Sequence, residues 1–230
     1  AGLVKLEDGS YVYGPLKEFS VQDYCEGRLI NSSNEKLKNT CAAMLHFGAA
    51  AQTYFNYNTE DLANAAILES YPVYEFDSGL LNEVGTANTG IVQSAKVSNN
   101  GRTLSLDGAI VINYYFGVTG FEPVTAKLLF WEGVEGELTP ENATGSTNLA
   151  LVGGEYFAQG REFAAKEYGT VVYACAEFTD AEGNKHYSDV TGFSPEAYAE
   201  GRINKSSNQK LVEMVKRMVT YGENTRIYFG

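Results

Sequence analysis

Two histidines, His46 and His186, are the side chains in this sequence best suited to general-base work or to binding zinc. Each lacks partners at a useful spacing: no HExxH, GxSxG elbow, Walker loop or GxGxxG occurs. They read as a helix-surface histidine and a strand histidine. Carboxylates offer a second chemistry. Glu132, Glu135, Glu137 and Glu141 fall within WEGVEGELTPE, and two carboxylates at a suitable separation can hydrolyse a glycosidic bond. Spread through a glycine-rich stretch, these four read first as a solvated loop. NYNTED (56–61) and TDAEGN (179–184) carry oxygen ligands of the calcium type, yet neither follows EF-hand spacing.

Aromatic residues give the clearest ligand signal. Trp131, the single tryptophan, ends a strand-like run beside the glutamate-rich loop. Tyr114, Tyr115 and Phe116 are consecutive, so alternation along a strand turns at least one of them away from the core. Exposed planar rings stack on sugar faces. Trp131, Tyr114 and Tyr115 are therefore the candidate ligand-binding residues, a core pin being the other reading of Trp131. No residue is assigned to catalysis, to a metal or to a cofactor.

Charge narrows the partners. The net charge of -12 and pI of about 4.6 oppose phosphate binding, so nucleic acid is not expected. The longest apolar stretch, CAAMLHFGAAA (41–51), is far short of the roughly 20 residues that span a bilayer. No basic segment followed by an apolar run opens the sequence, so an exported form would be a processed product or an excised piece.

The positions that hold these side chains are organised by a duplication. SVQDYCEGRLINSSNEKL (20–37) returns as SPEAYAEGRINKSSNQKL (194–211), a shift of 174 residues. Over 20–56 against 194–230, 14 of 37 positions are identical, enough to rank duplication above any other fold signal. Gly9 falls on Gly183, Tyr13 on Tyr187 and Phe19 on Phe193. Cys25 aligns with Ala199 and Cys41 with Val215. Those thiols therefore read as small buried hydrophobes, and Cys175 within VVYACAEF reads the same way.

Each copy predicts a strand end and two helices. Ser20 and Ser194 stand where N-caps belong, with Pro195 suited to the first helical position. A short helix runs to about Leu29 or Ile203, and a longer one starts near Asn34 or Asn208. On the longer helix Leu37, Cys41, Met44, Leu45, Gly48 and Phe55 mark a face to be buried, repeated as Leu211, Val215, Met218, Val219, Gly222 and Phe229. Gly48 and Gly222 on that face predict a close approach by another element, since a helical glycine otherwise costs about 1 kcal/mol.

Between the copies the pattern becomes extended. NTEDLANAA predicts a short capped turn of helix closed by Pro72. Eight strand-like runs follow: VYEF, GIVQSAKV, RTLSL, AIVINYYFGV, AKLLFWEG, NLALV, TVVYACAEFT and NKHYSDV. Short strands without long intervening helices predict an antiparallel Ig-like sandwich. AEFTDAEGNKHYSDV is the clearest hairpin, and LVKLEDGSYVYGPL (3–16) is its counterpart from a preceding module.

The expected fold class is thus α+β: an antiparallel Ig-like β-sandwich with two repeated helical hairpins that pair into a four-helix layer, the first hairpin packing on the rest of the chain. The expected divisions are 1–70, the tail of a preceding module; 71–193, the sandwich; and 194–230, the second helical hairpin.

AMLHFGAAAQTYFNYNTEDLANAA (43–66), LDGAIVINYYF (106–116) and YSDVTGFSPEAYAEGRI (187–203) resemble a repeat module of large secreted or surface-bound proteins of Gram-positive gut anaerobes. The resemblance covers essentially the whole chain. The second copy departs from it, with TYGENTRIYFG in place of HFGAAAQTYFN. It implies an extracellular bacterial setting and a modular, non-enzymatic role with no assigned catalytic residues. The expected partners are neighbouring modules of the same polypeptide and a polysaccharide or surface protein. Two functions follow as expectations: a structural or adhesive repeat, or a carbohydrate-binding module using sandwich aromatics.

Overall fold

A computed structural model describes residues 3–14, 18–81, 84–106 and 109–230. The fold is mixed α+β, with antiparallel sheets and four helices. The helices are α1 (Val21–Asn31), α2 (Glu35–Phe55), α3 (Pro195–Lys205) and α4 (Gln209–Phe229). Their starts are set by the repeated caps. Ser20 Oγ accepts from the Asp23 amide at 2.9 Å, and Ser194 Oγ from the Ala197 amide at 3.0 Å. Asn34 and Asn208 accept from the Leu37 and Leu211 amides, both at 3.2 Å. Such side chains satisfy amides that have no partner inside the helix. Ser32 and Ser206 also accept from the Asn34 and Asn208 amides, so SSN encodes both a turn and the next cap. The first helix of each pair runs two residues beyond Leu29 and Ile203, because both chains stay helical until that turn.

Helix α1 packs on α2, α3 on α4, and α2 on α4. Phe47 stacks on Tyr221 with ring centroids 6.1 Å apart, and Thr40 Oγ1 donates to the Asn224 carbonyl at 3.0 Å. Cys41, Leu45, Val215, Met218 and Val219 are buried, as the face requires. Phe55 and Phe229 are not: they are 54% and 65% exposed. At these final helical positions each ring packs edge-on against its neighbour, Tyr54 or Tyr228, instead of against another element.

The strands are β1 (Leu3–Lys5), β2 (Tyr11–Tyr13), β3 (Val97–Ser105), β4 (Ile110–Val118), β5 (Thr125–Trp131), β6 (Gly145–Asn148), β7 (Ala150–Val152), β8 (Glu155–Phe163), β9 (Val172–Thr179), β10 (Lys185–Tyr187) and β11 (Thr191–Phe193). One sheet has the order β10-β9-β5-β6, with β11 also on β9; a second has the order β3-β4-β8-β7. Ile112, Tyr114 and Phe116 of the second sheet, Leu128, Ala176 and Phe178 of the first, and Met214 and Met218 of α4 belong to one core cluster. Burying such side chains contributes roughly 1.5–3 kcal/mol each, before cavity effects. A smaller cluster joins Cys25, Leu29, Cys41 and Leu45 to Ile67, which ends a 3-10 turn at Ala65–Ile67 that begins in the NTEDLANAA segment.

Three expected strands change, one of them NLALV, which divides between β6 and β7 on different sheets. VYEF is irregular, and GIVQSAKV enters a strand only at its last residue, Val97. A backbone bridge from Gln93 to Tyr187 holds the latter segment in place. Conversely, EYFAQGREF forms β8, a central strand that apolar alternation does not mark. Its register against β4 shifts between Val111 and Asn113, which breaks the alternation. Gly160 interrupts it for a packing reason: a β-carbon there would lie 2.9 Å from the ring of Tyr114.

The β1–β2 ribbon pairs Leu3 with Tyr13, Val4 with Val12 and Lys5 with Tyr11. Pro15 and Leu16, part of the expected hairpin segment, lie outside the described residues. The expectation that this hairpin packs on the rest of the chain is corrected: every residue of β1 and β2 is exposed. Among the described residues no helix is long and apolar enough to cross a membrane.

Candidate functional site

Trp131 closes β5 with no exposed surface, among Leu129, Leu138 and Cys175. Its Nε1 donates to the Thr139 carbonyl at 3.0 Å and to Asn142 Oδ1 at 2.9 Å. The indole therefore pins the 139–142 turn to the sheet, and neither ring face is open to a sugar. Tyr114 is 2% exposed, and burial pushes its phenol up to about 12. Tyr115, on the opposite face of β4, is half-buried and tilted against Phe157 with centroids 5.3 Å apart. The aromatic platform expected of Trp131, Tyr114 and Tyr115 is thus corrected, and the core-pin reading of Trp131 fits better: Tyr114 enters the main core, Trp131 is buried in a separate cluster on the other face of its sheet with Leu138 and Val134, and Tyr115 lies beside Phe157.

The glutamate loop separates into distinct roles. Glu132 accepts from Arg161 at 2.6 Å, and Arg161 reaches Glu167 at 2.6 Å as well, tying β8 to two loops. Glu135, Glu137 and Glu141 are exposed. Among the described residues, no group of three or more His, Cys, Asp or Glu side chains is placed to hold a metal ion. The three cysteines are free and buried. Burial holds the thiols of Cys25 and Cys175 up at about 12, so neither is a ready nucleophile.

One constellation was hidden from sequence reasoning because Ser94 lies far in the chain from the hairpin that carries Asp180 and His186. His186 Nε2 sits 2.9 Å from Asp180 Oδ2, and its Nδ1 lies 3.3 Å from Ser94 Oγ. This is the order of groups in a nucleophile relay. The surroundings argue for a clamp instead. Ser94 Oγ already accepts from the Lys96 amide at 3.2 Å, and the ring of Phe121 lies 4.4 Å from the imidazole. A relay also needs donors about 3 Å from the developing oxyanion, and the Lys96 amide is already engaged by Ser94. The trio fastens the β9–β10 turn to the segment entering β3.

An enclosed cavity lies where the two copies meet. A cavity of about 300 Å³ between α2, α4 and the 71–80 segment is walled by Asn39, His46, Tyr71, Asp77, Arg217 and Thr220, among others. Thr220 is the repeat equivalent of His46, so corresponding positions face one space. Arg217 is 9% exposed; its Nε donates to Glu213 at 2.6 Å and its Nη1 to the Tyr74 carbonyl at 2.9 Å. His46 Nδ1 lies 3.0 Å from Asn64 Nδ2, the partner that makes this nitrogen an acceptor. Burial lowers the His46 pKa, with the Arg217 cation adding to the effect against a backbone hydrogen bond at Tyr71. The site couples a buried cation to a neutral imidazole. Only the apolar spacing of α2 was available to locate it, and His46 was read there as a surface residue.

The chain matches no family model, no curated protein and no solved structure.

Proposed function

We propose that this chain is a non-catalytic structural or adhesive repeat of a multimodular bacterial surface or secreted protein. Its unit is an Ig-like sandwich followed by a helical hairpin, and 1–70 is the tail of a preceding unit. The observation that carries the reading is the duplicated hardware: caps, turns and helices recur 174 residues apart with the same bonds. What recurs is packing and capping, while His46 and His186 have Thr220 and Val12 in the other copy. Repeats of this kind gain stability from neighbour contacts and serve to space or display other modules. Neighbouring modules are its first partners; the setting is extracellular.

A binding and turnover screen tests this reading. The 230-residue chain is applied to a glycan array and insoluble polysaccharides, and to chromogenic ester and glycoside substrates. Neither saturable binding nor hydrolysis is expected. Glycan binding lost in a folded Tyr115→Ala variant establishes the carbohydrate-binding alternative, and hydrolysis lost in His186→Ala establishes an enzyme.

A further inference from the structure

The β1–β2 ribbon and the β9–β10 hairpin are the same object in two environments. Adding 174 to each ribbon pair gives the pairs of the hairpin: Leu3 with Tyr13 becomes Glu177 with Tyr187, Val4 with Val12 becomes Phe178 with His186, and Lys5 with Tyr11 becomes Thr179 with Lys185. The turns agree as well. The Leu6 amide donates to the Ser10 carbonyl at 2.8 Å and the Asp180 amide to the Asn184 carbonyl at 3.0 Å, with Gly9 and Gly183 at φ of 84° and 86°. Positive φ at that turn position is why both residues are glycine.

Burial differs sharply between them. Val4 is 61% exposed, whereas Phe178 has no exposed surface. Val21, at the start of α1, is 57% exposed, whereas Pro195 is fully buried. In the second copy the covering groups are identifiable. Strand β5 pairs along β9, setting Ala126 opposite Phe178; Tyr156 packs edge-on to Phe178 at 4.9 Å; and the Tyr168 carbonyl accepts from the Glu196 amide at 3.1 Å. Among the described residues β1 pairs only with β2. Where the hairpin has Asp180 and His186, the ribbon has Leu6 and Val12, so its surface is more apolar than the copy already buried. An open strand edge beside an exposed apolar face is a template for pairing.

We propose that β1, β2 and the first turn of α1 form a docking surface for one partner: a β-sandwich of the type formed by β3–β9, carried on the same polypeptide directly before the ribbon. The inference rests on the repeat-module reading and names the neighbour it requires. A second copy of this chain does not fit, because its β5 is already paired on both edges, by β9 and β6. The fitting sandwich is one whose β9 position is still open, and chain continuity then makes β1 the end of its β9.

The test joins residues 71–174 of this sequence to the front of the full chain, since Ala1 is the equivalent of Cys175 and follows Ala174 in register. Hydrogen exchange is followed by mass spectrometry in the 230-residue and extended chains. In the shorter chain the β1 and β2 amides exchange rapidly while those of β9 and β10 are protected. In the extended chain the β1 amides slow by roughly 100-fold or more, as expected for amides entering a packed sheet. Fast β1 exchange in an extended chain whose two Trp131 indoles are both buried overturns the proposal. A second measurement needs no extension. Val4→Asp in the 230-residue chain leaves the melting temperature within about 1 °C, whereas Phe178→Asp lowers it strongly; equal losses show that the ribbon is packed within this chain and overturn the proposal. Glycan binding or turnover would overturn the spacer function and leave both outcomes intact.

Discussion

The ring of Tyr168 lies directly against Gly222, so that a β-carbon on the glycine would stand 2.7 Å from Tyr168 Cδ2 and 3.0 Å from the Ala165 carbonyl. The glycine in α4 is therefore a contact requirement. Its repeat equivalent, Gly48, would place a β-carbon 3.3 Å from the Ala63 methyl, a contact that small movements relieve. Gly222→Ala is expected to destabilise by about 1–3 kcal/mol through overpacking. Gly48→Ala is expected to be near neutral, because gained helix propensity offsets the crowding. Gly201→Ala, with nothing within 4 Å, is expected to stabilise by up to about 1 kcal/mol. Urea midpoints of the three variants check the ranking.

Trp131 carries the next prediction. Truncation to alanine removes a fully buried indole and its bonds to the Thr139 carbonyl and Asn142 Oδ1, each of which keeps one backbone donor. The expected loss is about 3–5 kcal/mol. Trp131→Phe keeps most of the volume and loses the two hydrogen bonds, so its expected loss is about 1–3 kcal/mol. Equilibrium unfolding followed by far-ultraviolet circular dichroism measures both, since neither variant retains the tryptophan signal.

Much of the helical architecture was legible because its signals are local. A cap, a turn and an apolar spacing sit within a few residues, and the duplication repeated each of them. Three kinds of feature were not legible. Strand β8 is polar at Gln159, Arg161 and Glu162 and shifted in register, so alternation does not reveal it. Tyr114 faces the main core with α4, whereas Trp131 lies on the far face of its own sheet under Val134 and Leu138, a tertiary matter no single strand encodes. The cavity at His46 and Arg217 and the Ser94–His186–Asp180 clamp join segments far apart in sequence, where spacing says nothing.

His46 gives the chain a pH dependence near neutrality. Its pKa is lowered in the folded state, first by burial and then by Arg217. Unfolded chains therefore take up a proton at His46 as pH falls through about 6.5, while folded chains resist it. Stability is full above that pH and declines below it, until the folded-state pKa is reached. His46→Gln is expected to flatten stability between pH 7 and pH 5, with the carboxylates leaving the remaining slope at lower pH. Urea midpoints of both proteins across that range decide it; parallel curves would show that His46 does not titrate differently on folding.

Asp180 gives a separate dependence in acid. Its carboxylate accepts from His186, from both nitrogens of Asn184 and from the Glu182 amide. Led by the His186 bond, these hold its pKa down to about 2 against an ordinary value of 3.8. A lowered carboxylate pKa contributes stability that is fully present above the unfolded value and lost as pH falls through the folded one. The window therefore runs from about pH 4 down to about pH 2. Asp180→Asn retains an acceptor for the turn amides but not the charge facing His186. It is expected to be less stable than the parent at pH 6 and to converge with it at pH 2. A constant gap across that range would mean that the Asp180 charge does not hold the clamp.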